Sequence, residues 1–276
     1  MKSCLNPATL NGQLGLTDFV RVASQAGFKG IELRYPQWVE HACAHGVAGL
    51  RRLLEEHGLE PACFGYPASL TRPQSWASDL EKAAEAADLA CELGLAGGMT
   101  VLPFRCDGVQ VADPAEQADK LGRLADVAAG RGLSVYLEFI GLHPPAEQRG
   151  EFAQTATAAL ALAERTGRPN LGLVVDAYHW YLRGGALSEI EAIPRGRPIF
   201  CHIDDAPSGE CETLTDPMRV LPGEGVIDLG GFLRALRGRG WDGFVSVELF
   251  SEQLRQMEPL EAARRARRSL DHLGVE

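Results

Sequence analysis

Short apolar runs alternate with longer amphipathic stretches along the whole chain, and several of the runs end in a residue able to bind a metal. The clearest is Leu171-Gly-Leu-Val-Val-Asp176, followed by Ala-Tyr-His179. A near-continuous apolar run of this length is the pattern of a strand buried on both faces of a parallel sheet. Ser134-Val-Tyr-Leu-Glu138, Pro198-Ile-Phe-Cys-His202 and Phe244-Val-Ser-Val-Glu248 repeat the arrangement. Charged groups are seldom buried unless paired or coordinating, so Glu, Asp, His and Glu at the ends of successive strands predict a divalent-metal site at one rim of the sheet.

Four earlier strands are predicted at Ser3-Cys-Leu-Asn6, Gly30-Ile-Glu-Leu-Arg34, residues 59–64 and Gly98-Met-Thr-Val-Leu102. Amphipathic spacing predicts helices over 16–26, 47–57, 76–93, 114–129, 152–165, 187–192, 229–237 and 259–273, with Gly27, Gly58 and Gly94 as stops. A short helical stretch follows Asp176. After His202 come roughly twenty residues rich in Asp, Pro and Gly, too long for an ordinary connection and therefore expected to cover a site. Eight β-α units without a composition break indicate the α/β class and one (β/α)8 TIM barrel, a single catalytic domain over residues 1–276. A doubly wound open sheet would call for a Gly-rich turn after the first strand, and Asn6-Pro-Ala-Thr9 is not one.

Side chains two apart share a strand face, which pairs Glu138 with Tyr136, Asp176 with Val174, His202 with Phe200 and Glu248 with Ser246. The second set would form a mostly apolar layer beneath the ligands. Leu137, Val175, Cys201 and Val247 would face the helices, so Cys201 is expected to be a packed thiol rather than a ligand.

Composition narrows the function. Apolar residues at 45% and charged residues at 23% describe an ordinary globular chain. With 37 acidic against 27 basic residues the net charge is -10, which repels a phosphate backbone and argues against a nucleic-acid partner. The one basic cluster, Arg264-Arg265-Ala-Arg267-Arg268, is expected to be a solvated helix face. Seven scattered cysteines without a Cys-x-x-Cys pair suit reduced thiols in a cytoplasmic protein. No apolar stretch is long enough for a secretory leader or a membrane span, so no membrane partner is expected.

Three carboxylates and one imidazole form a hard, oxygen-rich set that favours Mn2+, with Mg2+, Co2+ or Zn2+ also compatible. Four protein ligands on a six-coordinate ion leave two positions for a hydroxyl and the adjacent carbonyl of a polyol or ketose. Glu138 and Glu248, on strands five and eight, could then flank the substrate and move a proton through an enediolate. One residue returning the proton to the neighbouring carbon gives an isomerase; two residues on opposite faces of one carbon give an epimerase. His179 either caps the following helix or meets a substrate oxygen, and the second is the working expectation. Arg219 lies in the long loop and is expected to bind substrate. Glu32 and Arg34 are either a structural ion pair or substrate contacts. His41 and His45 have helical spacing without the Glu of a zinc-protease motif, and are expected at the surface.

These stretches resemble the sugar phosphate isomerase and epimerase family of xylose isomerase-like TIM barrels, and the inosose (2-keto-myo-inositol) isomerases within it. The resemblance rests on Leu5-Asn-Pro-Ala-Thr-Leu10, Gly30-Ile-Glu-Leu-Arg34, Leu137-Glu-Phe-Ile-Gly141, Asn170 to Asp176 with His179, His202-Ile-Asp-Asp205, Arg219-Val-Leu-Pro-Gly-Glu-Gly225 and Val245-Ser-Val-Glu-Leu-Phe250. It implies metal ligands at Glu138, Asp176, His202 and Glu248, catalysis by the two glutamates, substrate contacts from His179 and Arg219, and possible homo-oligomers. A dehydratase on the same scaffold, of inosose or 3-dehydroshikimate type, is the alternative. Apurinic-site endonucleases share the late-strand ligands but need further histidines, which Ala62-Cys63-Phe64 and Met218-Arg219-Val220 lack. The segments Phe250 to Arg255 and Leu142 to Ala146 differ from the inosose isomerases, and both would flank the pocket.

Overall fold

Each apolar run forms a strand, and each amphipathic stretch returns over it as a helix. The computed structural model describes residues 1–10, 14–68, 70, 75–105 and 114–276. Its strands are β1 (Lys2–Leu5), β2 (Gly30–Leu33), β3 (Glu60–Phe64), β4 (Gly97–Val101), β5 (Ser134–Glu138), β6 (Leu171–Asp176), β7 (Ile199–Ile203) and β8 (Phe244–Val247). They pair in the order β3-β2-β1-β8-β7-β6-β5-β4, and every ladder is parallel. The ring closes between β3 and β4 through a bridge from Gly65 to Met99, where the Tyr66 N–H donates to the Met99 carbonyl at 2.8 Å. Gly98 permits that close approach, because a Cβ there would strike Phe64. The expected (β/α)8 barrel is therefore present, with a thin seam on the β3–β4 side.

The helices are α1 (Leu16–Ala26), α2 (Gln37–Glu56), α3 (Trp76–Leu93), α4 (Pro114–Ala129), α5 (Ala156–Arg165), α6 (Ala177–Leu182), α7 (Leu187–Ala192), α8 (Leu229–Gly238), α9 (Glu252–Arg255) and α10 (Pro259–Arg268). Four depart from expectation: α9 is an addition, and α10 ends at Arg268 rather than at residue 273, with a separate 3-10 turn at Asp271–Leu273. The α2 helix begins at Gln37 rather than Val47, because fully buried Trp38 and Ala42 anchor an earlier segment across a kink at Gly46, where φ is 73°. The α5 helix begins at Ala156 rather than residue 152, because the Thr155 hydroxyl caps it by accepting the Ala158 N–H at 3.1 Å.

Alternation along the strands makes two apolar layers. Cys4, Ala62, Cys63, Tyr136, Val174 and Phe200 pack together inside the barrel. Leu137, Val175, Cys201 and Val247 join the larger core between strands and helices. The inner layer is a floor beneath the carboxyl ends of the strands, as a filled barrel requires. The basic face of α10 is ion-paired, with Arg265 to Glu224 at 3.4 Å, Arg267 to Asp271 at 2.9 Å and Arg268 to Glu261 at 3.1 Å. The described cysteines are free, and Cys106 lies outside the described residues. Among the described residues no helix is long and apolar enough to cross a membrane.

Candidate metal centre

Parallel register sets the late strand ends side by side: Asp176 is opposite His202, and His202 is opposite Ser246. One oxygen each from Glu138, Asp176 and Glu248 and a nitrogen of His202 consequently lie within 4.8 Å of one another, a group that could hold a metal ion. His202 is central. Its Nδ1 lies 3.0 Å from Glu138 Oε1, 3.3 Å from Glu248 Oε2 and 3.8 Å from Asp176 Oδ2. Asp176 ends its strand as the cap of α6, so its Oδ1 accepts the His179 N–H at 2.7 Å and its Oδ2 is left to the cluster.

Electrostatics divide these acids. Burial pushes the Glu138 carboxyl up to about 7, against the pull of the His202 hydrogen bond. Burial also acts on Asp176, but Arg219, His179 and His202 outweigh it and hold the group at about 2. For Glu248 burial is outweighed by His202, so the carboxyl titrates below its ordinary range. His202 itself is raised well above its ordinary value, because Glu248, Glu32 and the hydrogen bond to Glu138 overcome its burial.

Arg219 is 2% exposed and reaches the cluster from the loop after β7. One terminal nitrogen donates to Asp204 Oδ2 at 2.5 Å and Asp176 Oδ2 at 2.9 Å, with Glu248 Oε2 at 3.4 Å. The other donates to Asp216 at 2.7 Å and meets His179 Nε2 at 3.0 Å. The guanidinium also lies 5.1 Å from the ring centroids of both Tyr178 and Phe250, which fix its plane. His179 is buried, and its Nδ1 has no hydrogen-bond partner among the described residues. His179 and Arg219 therefore join the cluster and touch each other.

Glu32 and Arg34 part company. Glu32 is buried, and its Oε1 accepts from Asn6 at 2.8 Å and Ser246 at 2.5 Å. The same oxygen lies 3.1 Å from His202 Nε2, an ion-pair contact that lacks the alignment of a hydrogen bond. Arg34 is exposed at the rim of a cavity of about 460 Å³, which Asn6 and Glu32 also line. Residues beyond those expected complete the site. Asn6 bridges Glu32 and Glu248, donating to the latter at 3.0 Å. Asp204 anchors Arg219 and accepts the Tyr178 N–H at 2.9 Å. Asp205 accepts the N–H groups of Ala206, Gly223, Gly225 and Ile227 and so folds the loop that carries Arg219. Asp204 and Ser246 sit two residues from His202 and Glu248, a same-face signal legible in the strand period. Asn6 has no such signal.

The donor set fits a divalent cation. Among the described residues, the carboxyl groups of Glu32, Glu138, Asp176, Asp204 and Glu248 are buried around two strongly cationic groups, Arg219 and His202, and burial raises Asp204 as well as Glu138 above the ordinary carboxyl range. Buried negative charge in excess is costly unless it is balanced or coordinating. A hard ion suits three carboxylate oxygens and one imidazole nitrogen.

The family described as xylose isomerase-like TIM barrel matches residues 20–273, and the chain belongs to it. Among relatives, it is 27% identical over 278 residues to the inosose isomerase of Bacillus velezensis, covering 98% of this chain and 96% of that one. Similarity to the inosose isomerase of Halalkalibacterium halodurans is 36% over 147 residues, 53% of this chain and 50% of that protein, so this match spans about half of the relative's length. The 3-dehydroshikimate dehydratase of Pseudomonas aeruginosa is 29% identical over 265 residues, covering 92% of this chain and 39% of that longer one. A xylose isomerase domain protein from Alicyclobacillus acidocaldarius superposes with a TM-score of 0.89 at 27% identity, covering 99% and 98% of the two chains. The IolI protein with a bound zinc atom gives 0.83 at 27% identity over the same shares.

Proposed function

We propose that this chain is a divalent-metal-dependent isomerase or epimerase of a small ketose or keto-inositol, moving a proton at the carbon beside a ketone. Glu138, Asp176, His202 and Glu248 would hold the cation, and Mn2+ or a similar ion would supply Lewis-acid polarisation of the ketone and its neighbouring hydroxyl. Glu138 and Glu248 act as acid and base. The observation that carries this reading is their common approach to one imidazole nitrogen from separate strands, 3.0 and 3.3 Å from His202 Nδ1. Their proton affinities are also pushed apart, Glu138 upward and Glu248 downward, which is the condition for one to give a proton while the other takes it. Arg219 and His179 bind substrate oxygens: the guanidinium is clamped in plane, and the imidazole holds a buried nitrogen in reserve. A dehydratase would share the first proton removal and then protonate a departing hydroxyl. The relatives named isomerase and dehydratase support carbonyl chemistry of this kind. The chain works as one catalytic unit on a freely diffusing small molecule.

Incubation of 2-keto-myo-inositol and simple ketoses in deuterated water, followed by proton NMR, tests the proposal. Exchange beside the ketone is expected only with added Mn2+, and Glu138→Gln and Glu248→Gln are each expected to abolish it. Wild-type exchange in either variant would remove that glutamate from the mechanism.

A further inference from the structure

The cavity beside the cluster has a volume of about 460 Å³, within the roughly 300–1,000 Å³ of small-molecule sites. Its wall includes Asn6, Glu32, Arg34, Tyr66, Phe250 and Arg255. Asn6 bonds Glu248 and Glu32 contacts His202, so the cavity meets the candidate metal centre from the β1–β2 side. Arg34 directly follows β2 and Arg255 closes α9, just beyond β8. Those two strands flank β1 on either side, so the two arginines face one cavity across the strand that leads to Asn6.

Their guanidinium groups contrast with that of Arg219. Arg219 is ion-paired to Asp176, Asp204 and Asp216. Neither Arg34 nor Arg255 forms an ion pair among the described residues, and Arg255 Nε is buried without a hydrogen-bond partner. The Arg255 guanidinium carbon lies 6.0 Å from the Phe250 ring centroid, and that of Arg219 lies 5.1 Å from the same centroid. A buried, unpartnered guanidinium donor is costly, and its planar fork matches a carboxylate or phosphate better than any neutral hydroxyl. Charge also sets a direction: the one carboxylate on the cavity wall, Glu32, is buried against His202 of the cluster, whereas Arg34 is exposed and Arg255 half-buried.

We propose that Arg34 and Arg255 form an oxyanion subsite, so the substrate is a hydroxyketone that carries a carboxylate or phosphate at the end remote from its ketone. This rests on the proton-transfer reading for which end of the substrate goes inward, while the subsite itself can be tested separately. An anion gripped at the rim would be turned away from the inner carboxylates, leaving the ketone and hydroxyl to enter first. A neutral keto-inositol would leave both arginines unpaired.

Titration calorimetry on the Mn2+-loaded protein would compare 3-dehydroshikimate, which bears a carboxylate, fructose 6-phosphate, which bears a phosphate, and neutral 2-keto-myo-inositol. One anionic probe is expected to bind at least tenfold tighter than the neutral one, and which of the two does so names the source of the anion. Arg34→Gln and Arg255→Gln are each expected to shrink that ratio at least fivefold, with Arg255→Lys retaining part of it. Neutral binding as tight as both anions, or an affinity ratio unmoved in both Gln variants, would overturn the subsite. Deuterium exchange in the same samples separates the two ideas. Anion preference without exchange on any probe would sink the proton-transfer reading alone, and exchange without anion preference would sink the subsite alone.

Discussion

Glu32 Oε1 stands 3.1 Å from His202 Nε2, on the far side of the imidazole from the nitrogen that faces Glu138 and Glu248. A carboxylate behind a ligand histidine sets its tautomer and ring orientation, and its loss commonly costs about 10–100-fold in metal affinity. Asn6 and Ser246 fix that carboxylate in turn. Glu32→Gln is therefore expected to weaken Mn2+ binding about 10–100-fold while the fold stays intact, measured by competition with a chelator and by thermal melting. Unchanged affinity would confine Glu32 to a substrate contact or a packing role.

Metal binding should release protons. His202 is held well above its ordinary value and Glu138 up to about 7, so without metal both bind a proton more readily than isolated groups do. A cation needs the deprotonated nitrogen and oxygen, so its apparent affinity should rise as pH climbs from 6 to 8 and fall in the other direction. Calorimetry in buffers of different ionisation enthalpy reads the proton count directly. A count of zero at pH 6 would mean that His202 Nδ1 is not a ligand.

Asp205 is expected to act on turnover through the loop. Its carboxylate collects four backbone N–H donors, and Gly225 lies so close that a Cβ there would overlap Asp205 and the Ala206 carbonyl. Asp205→Ala leaves those donors unsatisfied, a destabilisation of about 1–3 kcal/mol or more. The loop carries Arg219 into the site, so turnover should fall further than metal content does. Loss of metal in proportion to activity would point to general unfolding instead.

Phe200 tests the floor. It is 3% exposed inside the barrel and meets the His202 ring edge-on at a centroid distance of 5.5 Å. Phe200→Ala should cost about 3–5 kcal/mol, read from denaturant unfolding, because it opens a cavity in a closed interior. A cost under about 1 kcal/mol would mean that the inner layer collapses to fill the space.

Much of this molecule follows from local pattern. A strand buried on both faces must be apolar, so Glu138, Asp176 and His202 stand out at the ends of β5, β6 and on β7, and Glu248 just beyond β8. Period-two alternation likewise separates Tyr136, Val174 and Phe200 inside from Leu137, Val175 and Cys201 outside. Boundaries were less legible where the deciding contact is distant: the first turns of α2 depend on burial of Trp38, which periodicity alone does not report.

Only the closed barrel decided which residues meet. Asn6 and Glu248 are 242 positions apart in sequence yet hydrogen-bonded, because β8 pairs with β1. Ring closure also carries Glu32 behind His202 and sets Arg34 and Arg255 on one cavity, a pairing that periodicity along the chain does not report. Side-chain periodicity is a property of neighbours along the backbone, so it determines what each strand and helix presents. Convergence across the barrel depends on register and closure, which are set by packing between segments far apart in sequence.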